Sequence, residues 1–243
     1  MNSAVSEEKV AASLLSEALH PGGLRLTSRA ARLAGISPGM KLLDVGCGTG
    51  STLEFLSQEF SIVPYGVDIS AEMIAVAVSR VNTAEFFVGD ASALPFASGL
   101  FDAVICECTL SLLESTEGVY REIYRVLRPG GVFISSDVCD ACCAESIRGT
   151  LDASGFDLIC YEDHRPALTT YIAEMNSRLL SRERMSSRPP DRTLTVQGKP
   201  PTQAPDRPLT VQDKAGQTLE HAIDLPQAQI KKATYYLAVC RRR

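Results

Sequence analysis

Beyond residue 40 the chain switches repeatedly between two hydrophobic periods. Short apolar runs at 41–45, 61–67, 85–88, 101–106 and 132–136 predict strands, and a sixth run at 156–161 follows Gly155. The stretches between them, 51–58, 71–80, 119–127 and 142–154, carry the period of helices. In the third of these, Val119, Ile123, Val126 and Leu127 form one stripe, and Pro129-Gly130-Gly131 ends it. The strand runs lack clean alternation, as expected of a parallel sheet covered on both faces. The pattern therefore predicts a doubly wound α/β domain. Ahead of it, residues 7–19 place Val10, Leu14, Leu15 and Ala18 on one helical face, and His20-Pro21-Gly22-Gly23 stops that helix. A second short helix is expected from a cap at Thr27 or Ser28 to near Gly35.

After Tyr161 the rhythm breaks. Residues 167–180 can form a helix, but 186–219 hold six of the thirteen prolines and no sustained apolar period. The same segment repeats itself: Asp191-Arg192-Thr193-Leu194-Thr195-Val196-Gln197 recurs as Asp206-Arg207-Pro208-Leu209-Thr210-Val211-Gln212. Two short copies cannot build a solenoid, so a duplicated, largely disordered insertion is expected, with a partner-binding loop as the other reading. Order resumes in a final strand at 233–240. The expected organisation is a helical cap at 1–39, one α/β domain built from 40–185 and 220–243, and an insertion at 186–219.

Composition narrows the class. Apolar residues make up 45% and charged residues 22% of the 243, enough for a sizeable core. The net charge of −5 gives no field favouring nucleic acid, and no apolar run is long enough to cross a bilayer. A polar N-terminus carrying Glu7 and Glu8 points to the cytoplasm. The Arg241-Arg242-Arg243 tail reads as a solvated end. Eight cysteines are many, but they are not spaced as a secreted disulfide framework, and reduced thiols are the default expectation.

The first strand runs into Asp44-Val45-Gly46-Cys47-Gly48-Thr49-Gly50, followed by a helix. Glycines at such a turn let a ligand approach the backbone at a helix N-terminus, on the carboxyl edge of the sheet. A dinucleotide fingerprint would place the third glycine one position later, so the spacing disfavours a nicotinamide cofactor. Asp68 ends the second strand, where a carboxylate can accept hydrogen bonds from both hydroxyls of a ribose. It can equally serve the helix cap with Ser70, and the two roles are compatible. Asp90 closes the third strand on the same edge, within reach of an adenine amino group. The fourth strand ends at Cys106-Glu107-Cys108.

Together these segments resemble the class I S-adenosylmethionine-dependent methyltransferases that act on small molecules. The resemblance rests on LLDVGCGTG, YGVDISAEMI, FFVGDASALPFASGLFDAVI and EIYRVLRPGGVFISSD, within residues 40–137. It implies a seven-stranded, mostly parallel Rossmann-like sheet whose last strand is antiparallel and lies between the fifth and sixth. It also implies S-adenosyl-L-methionine as cofactor, with Gly46, Gly48 and Gly50 under its methionine part and Asp44 opening that loop. Asp68, with Ile69 beside it, would hold the ribose, and Asp90 and Ala91 the adenine. Glu107 would face the sulfonium and the acceptor. The expected partner is a small-molecule substrate, with neither nucleic acid nor membrane; no metal is expected and the oligomeric state is left unassigned.

Three features bear on the acceptor. The opening His20-Pro21-Gly22-Gly23-Leu24-Arg25-Leu26-Thr27 is similar to that of an uncharacterised bacterial methyltransferase subgroup, and reads either as a lid over the cofactor or as a plain helix stop and turn. His164, in Glu162-Asp163-His164, has the chemistry of a general base, or is a structural loop histidine. Cys108, with Cys139, Cys142 and Cys143, borders the expected cleft. Arsenite methyltransferases are similar there, so these thiols either hold a metalloid or are packing residues. The upstream and downstream cysteines of those enzymes have no match here. A non-catalytic cofactor-binding scaffold is the reading from another class. Cys47, Cys160 and Cys240 read as packing residues.

Overall fold

The computed structural model describes residues 20–140, 144–186 and 232–243. The helix expected over 7–19, the repeat-bearing segment, and Cys142 and Cys143 lie outside the described residues. Within them the elements run α1 (Gly23–Leu33), β1 (Lys41–Val45), α2 (Ser51–Phe60), β2 (Val63–Asp68), α3 (Ala71–Arg80), β3 (Glu85–Val88) and β4 (Phe101–Glu107). Then follow α4 (Glu117–Val126), β5 (Leu127–Asp140), α5 (Ala144–Ala153), β6 (Phe156–Asp163), α6 (Arg165–Ser186) and β7 (Ala233–Arg242). The seven strands form one sheet in the order β3-β2-β1-β4-β5-β7-β6. All neighbours are parallel except β7, which pairs antiparallel with both β5 and β6. This is the doubly wound sheet with an inserted antiparallel last strand that the sequence predicts.

Strand periodicity divides the apolar residues between two layers. Leu42, Ile105, Ile134, Leu237 and Val239 face one core, shared with α1 and α2. Leu43, Val104, Phe133, Ala238 and Cys240 face the other, shared with α4 and α5. Because β1, β4, β5 and β7 are buried on both faces, they read as continuous apolar runs rather than alternating ones. The edge strand β3 is only half-buried. Among the described residues no helix is long and apolar enough to cross a membrane.

Several boundaries move, each for a local reason. Helix α1 begins at Gly23, behind Gly22 in the left-handed conformation at φ 83°, and not at Thr27 or Ser28. Thr27 is instead fully buried inside the helix, because its hydroxyl turns to a partner on β4. The His20-Pro21-Gly22-Gly23 segment thus opens α1. Strand β5 starts at Leu127, directly after α4, and absorbs Pro129-Gly130-Gly131 as a register shift against β4. A Cβ at Gly131 would lie 2.9 Å from the Arg128 carbonyl and 3.1 Å from that of Asp102, so two backbones meet there. The arginine tail is packed: Arg242 lies over the Tyr124 ring at 4.2 Å and Arg243 reaches Asp152 at 3.1 Å.

Gly66 on β2 lets α2's entry loop sit on the sheet. A Cβ there would fall 2.6 Å from the Phe86 ring and 2.8 Å from Cys47 Sγ. Gly66→Ala should cost about 1–3 kcal/mol through overpacking. In a thermal melt that is a fall of roughly 3–10 °C, and an unchanged Tm would show that this contact does not fix the loop.

Candidate functional site

The order β3-β2-β1-β4-β5 reverses direction between β1 and β4, and the connections leaving their carboxyl ends go to opposite faces of the sheet. A crevice opens at such a switch point. The loop 46–50 rims it on one side and Glu107 on the other.

The glycine loop is folded back on β2. Gly46 N and Cys47 N both donate to the Val67 carbonyl, at 2.8 and 3.1 Å, and Gly48 N donates to Asp68 Oδ2 at 2.9 Å. Gly46, Gly48 and Gly50 have φ of 79°, 52° and 77°, a region that disfavours any Cβ. A Cβ on Gly46 would collide with Thr109, whereas one on Gly48 would meet nothing within 4 Å. The loop backbone at Gly48 is therefore open to close approach. Asp68 also accepts from Ser70 N at 2.8 Å, while Ser70 Oγ caps α3 by accepting from Met73 N. One carboxylate thus ties the loop to the β2–α3 turn, and the expected cap of α3 falls to Ser70 beside it. Next to it Ile69 is 77% exposed, a large apolar side chain presented at a sheet edge. Asp90 is exposed, and hydrogen bonds from Ser92 N and Oγ, both 2.8 Å, hold its carboxyl below the usual range. Ala91 packs partly into the core beneath.

Two further carboxylates lie deeper. Asp44 is 4% exposed. Burial pushes its carboxyl well above the usual carboxylate range, and the charges of Glu107 and Asp68 push it further. The side chain of Glu107 is 5% exposed. Four residues from distant segments surround it: Thr27 Oγ1 lies 3.2 Å from both carboxylate oxygens, Thr52 Oγ1 3.3 Å, Ser136 Oγ 3.3 Å and His20 Nε2 3.4 Å away. The chain continues outward, since Tyr235 OH donates to Ser136 Oγ at 2.9 Å and Cys108 Sγ donates to Tyr235 OH at 3.6 Å. Sequence reading singled out Glu107 but missed His20, Thr27, Thr52, Ser136 and Tyr235 as its surroundings. A signal was present: Ser135-Ser136-Asp137 is a buried polar run in an otherwise apolar strand.

The other candidates are placed differently. Burial pushes the Cys108 thiol well up, as does the nearby Asp137, which keeps the neutral S–H form. Cys139 is disulfide-bonded, a departure from the reduced thiols expected. Among the described residues no group of three or more His, Cys, Asp or Glu is placed to hold a metal. His164 Nε2 lies 2.8 Å from Glu162 Oε2, and Glu162 receives a two-pronged contact from Arg29 on α1 at 2.8 and 2.5 Å. This group is therefore a second tether of α1, reached through the same helix as the Glu107 cage. The Arg29 contact, burial working against it, and His164 leave the Glu162 carboxyl at about 2.

Residues 43–135 match the family described as a methyltransferase domain. Phosphoethanolamine N-methyltransferase 1 of Arabidopsis thaliana is 30% identical over 122 residues, 49% of this chain and 25% of that protein. Methyltransferase GfsG of Streptomyces halstedii is 32% identical over 140 residues, 55% of this chain and 48% of that protein. The matches thus span between a quarter and about half the length of these relatives. Among solved structures, phosphoethanolamine N-methyltransferase 2 of Haemonchus contortus, with S-adenosyl-L-methionine bound, has a TM-score of 0.70 at 18% identity, covering 98% of this chain and 57% of that one. The cyclase SpnF gives 0.67 at 22%, covering 90% and 80%. At these identities the structural likeness shows the fold alone.

A depressed carboxyl stabilises the fold above its ordinary range, near 4.3, and loses that contribution as pH falls through its folded value. The Tm difference between the parent and Glu162→Gln should hold steady above pH 5 and close between about pH 4 and 2. A difference that stays constant across that window would show that the Arg29–Glu162 contact is not made in solution.

Proposed function

We propose, from a chain that carries a class I methyltransferase domain, that it transfers a methyl group from S-adenosyl-L-methionine to a small-molecule acceptor. The observation that carries this reading is the set of groups at the switch point. Asp68 is fixed between the glycine loop and the β2–α3 turn, the backbone at Gly48 is open, and the buried carboxylates of Asp44 and Glu107 lie close by. A buried carboxylate is costly unless it is compensated. Asp44 is buried, and around Glu107 the side chains are hydroxyls and one imidazole, with no cation of full charge among the described residues. A cofactor bearing a sulfonium and an ammonium fits that need. The exposed Ile69 offers an apolar face for a flat ring beside Asp68, and Asp90, kept ionised by Ser92, offers an acceptor for an exocyclic amine.

The bound cofactor supplies a methyl carbon already activated by positive sulfur. The work left to the chain is alignment, water exclusion and charge placement. Asp68 and the open backbone at Gly48 hold one end of the ligand, Glu107 sets a negative potential at the end of β4, and α1 covers the crevice above it. His164 stands as a proton acceptor only through Nδ1, because its Nε2 is engaged with Glu162. The arsenite-type reading finds less support. Cys108 is held as a neutral thiol, Cys139 is in a disulfide, and a soft metalloid needs thiolates. The methylated amines of the phosphoethanolamine enzymes make an amine a reasonable first acceptor class to assay, though those enzymes match this chain over only a quarter of their length.

Asp68→Ala should lower S-adenosyl-L-methionine affinity by roughly ten- to a hundredfold, the loss of about 1.5–3 kcal/mol of charge-assisted hydrogen bonding. Calorimetry on the full chain reads it directly. Unchanged affinity would remove Asp68 from the site, and tight binding of NAD with none of S-adenosyl-L-methionine would overturn the reading as a whole.

A further inference from the structure

We propose that Thr27 and His20 are positioning residues for the Glu107 carboxylate, so that the ligand site is complete only when α1 is docked on the sheet edge. The inference rests on the proposed function, since it assigns Glu107 to the face toward the cofactor. It begins from an oddity in α1. Threonine is a poor residue for a helix interior, and there its hydroxyl commonly returns to the carbonyl four residues back. Thr27 is fully buried in the middle of α1, and its hydroxyl is directed to a carboxylate 80 positions along the chain. It is centred on that group, 3.2 Å from each oxygen and 3.2 Å from His20 Nε2. The helix gains nothing locally from this arrangement, because its start is set by Gly22 without any side-chain cap.

The contact lengths point the same way. A hydroxyl donating to a carboxylate normally approaches to about 2.5–2.8 Å. Around Glu107 the Thr27, Thr52, Ser136 and His20 atoms all stand at 3.2–3.4 Å. They cage the carboxylate and fix its plane without saturating it, which leaves it able to take a stronger, cationic donor. His20 is itself only 5% exposed, with Nδ1 3.2 Å from the Pro21 carbonyl and Nε2 on the Thr27–Glu107 group, so its ring is held on both sides. Two of the four cage residues therefore arrive with α1 and the turn that opens it. That turn tolerates little change, since φ at Gly22 is +83° and a Cβ would lie 2.8 Å from Leu26 Cβ. The same helix is held independently by Arg29 to Glu162 and Arg32 to Glu59, and by burial of Leu26, Ala30 and Ala31. Docking of α1 and orientation of Glu107 can thus be perturbed separately.

The test compares Thr27→Val, which keeps shape and loses the hydroxyl, with Thr27→Ser, which keeps it, and with Arg29→Ala, which cuts only the other tether. The readouts on the full chain are S-adenosyl-L-methionine affinity by calorimetry, amide exchange over residues 23–33, and Tm. Thr27→Val should bind roughly tenfold more weakly with exchange protection over 23–33 kept, Thr27→Ser within about twofold of the parent, and Arg29→Ala, in which Arg32 and the buried face still dock α1, within about twofold in affinity. His20→Gln, which leaves the Thr27 hydroxyl in place, should weaken binding about fivefold and serves if Thr27→Val does not fold. Parental affinity in Thr27→Val, or in His20→Gln where that variant stands in, overturns the proposal. So does an equal loss in Thr27→Val and Arg29→Ala, which would mean that helix docking alone matters. Absence of binding by the parent would instead overturn the function reading, with this inference falling as its consequence.

Discussion

A carboxylate taken out of water must be surrounded by donors or by positive charge, and at Glu107 this chain meets that demand only in part, with four residues from three segments. Thr52 comes from the first turn of α2, Ser136 from β5, and Thr27 and His20 from α1 and its entry turn. The three segments, α1 with its entry turn, α2 and β5, do not neighbour one another in sequence. Their agreement on one carboxylate accounts for features that otherwise look unrelated: a threonine buried in a helix, a serine pair in a core strand, and a buried tyrosine on β7 whose hydroxyl reaches Ser136. Desolvation makes the partial satisfaction matter, because a carboxylate ringed by long contacts in a dry site keeps most of its electrostatic reach.

Sheet order decides why that carboxylate can serve a ligand. Glu107 ends β4, and β4 pairs with β1 at the reversal in strand order, so the end of β4 and the glycine loop after β1 face each other across one crevice. Asp68 lies on the same edge, the buried Asp44 carboxyl is held toward its neutral form beside it, and Gly48 leaves the backbone exposed beneath. The fold by itself does not select the reaction, as its likeness to a cyclase as well as to methyltransferases illustrates. What stands at this edge is a set of acidic side chains, an exposed apolar Ile69, and neutral rather than ionised sulfur at Cys108.

The parts of this structure governed by short-range pattern were legible in the sequence. β1, α3 and β3 fall on the expected residues because their apolar periods are bounded by glycines or by a cap such as Ser70. The last strand was legible in its own run at 233–240, whereas its antiparallel place between the fifth and sixth strands followed from the family resemblance. The glycine loop and the acids at the strand ends were readable because each follows a strand directly. What could not be read was set by tertiary contact. Thr27 has the chemistry of a helix cap and was placed at a helix start, yet a partner 80 residues away claims it. His164 has the chemistry of a base, and only the folded chain brings Arg29 to the Glu162 that engages it. Pro129-Gly130-Gly131 was expected to separate α4 from β5, but the strand begins before it, because pairing with β4 at Phe101 and Leu127 precedes the shift in register.

The central claim is that the negative edge around Glu107 is matched to a positively charged cofactor. S-Adenosyl-L-methionine and S-adenosyl-L-homocysteine differ by the methyl group and its sulfonium charge, so titrating both into the parent and into Glu107→Gln isolates that match. The account predicts that the parent binds both, and that the substitution weakens the sulfonium ligand by roughly tenfold more than the thioether. Failure of the parent to bind either ligand, or an equal loss for the two, would contradict it.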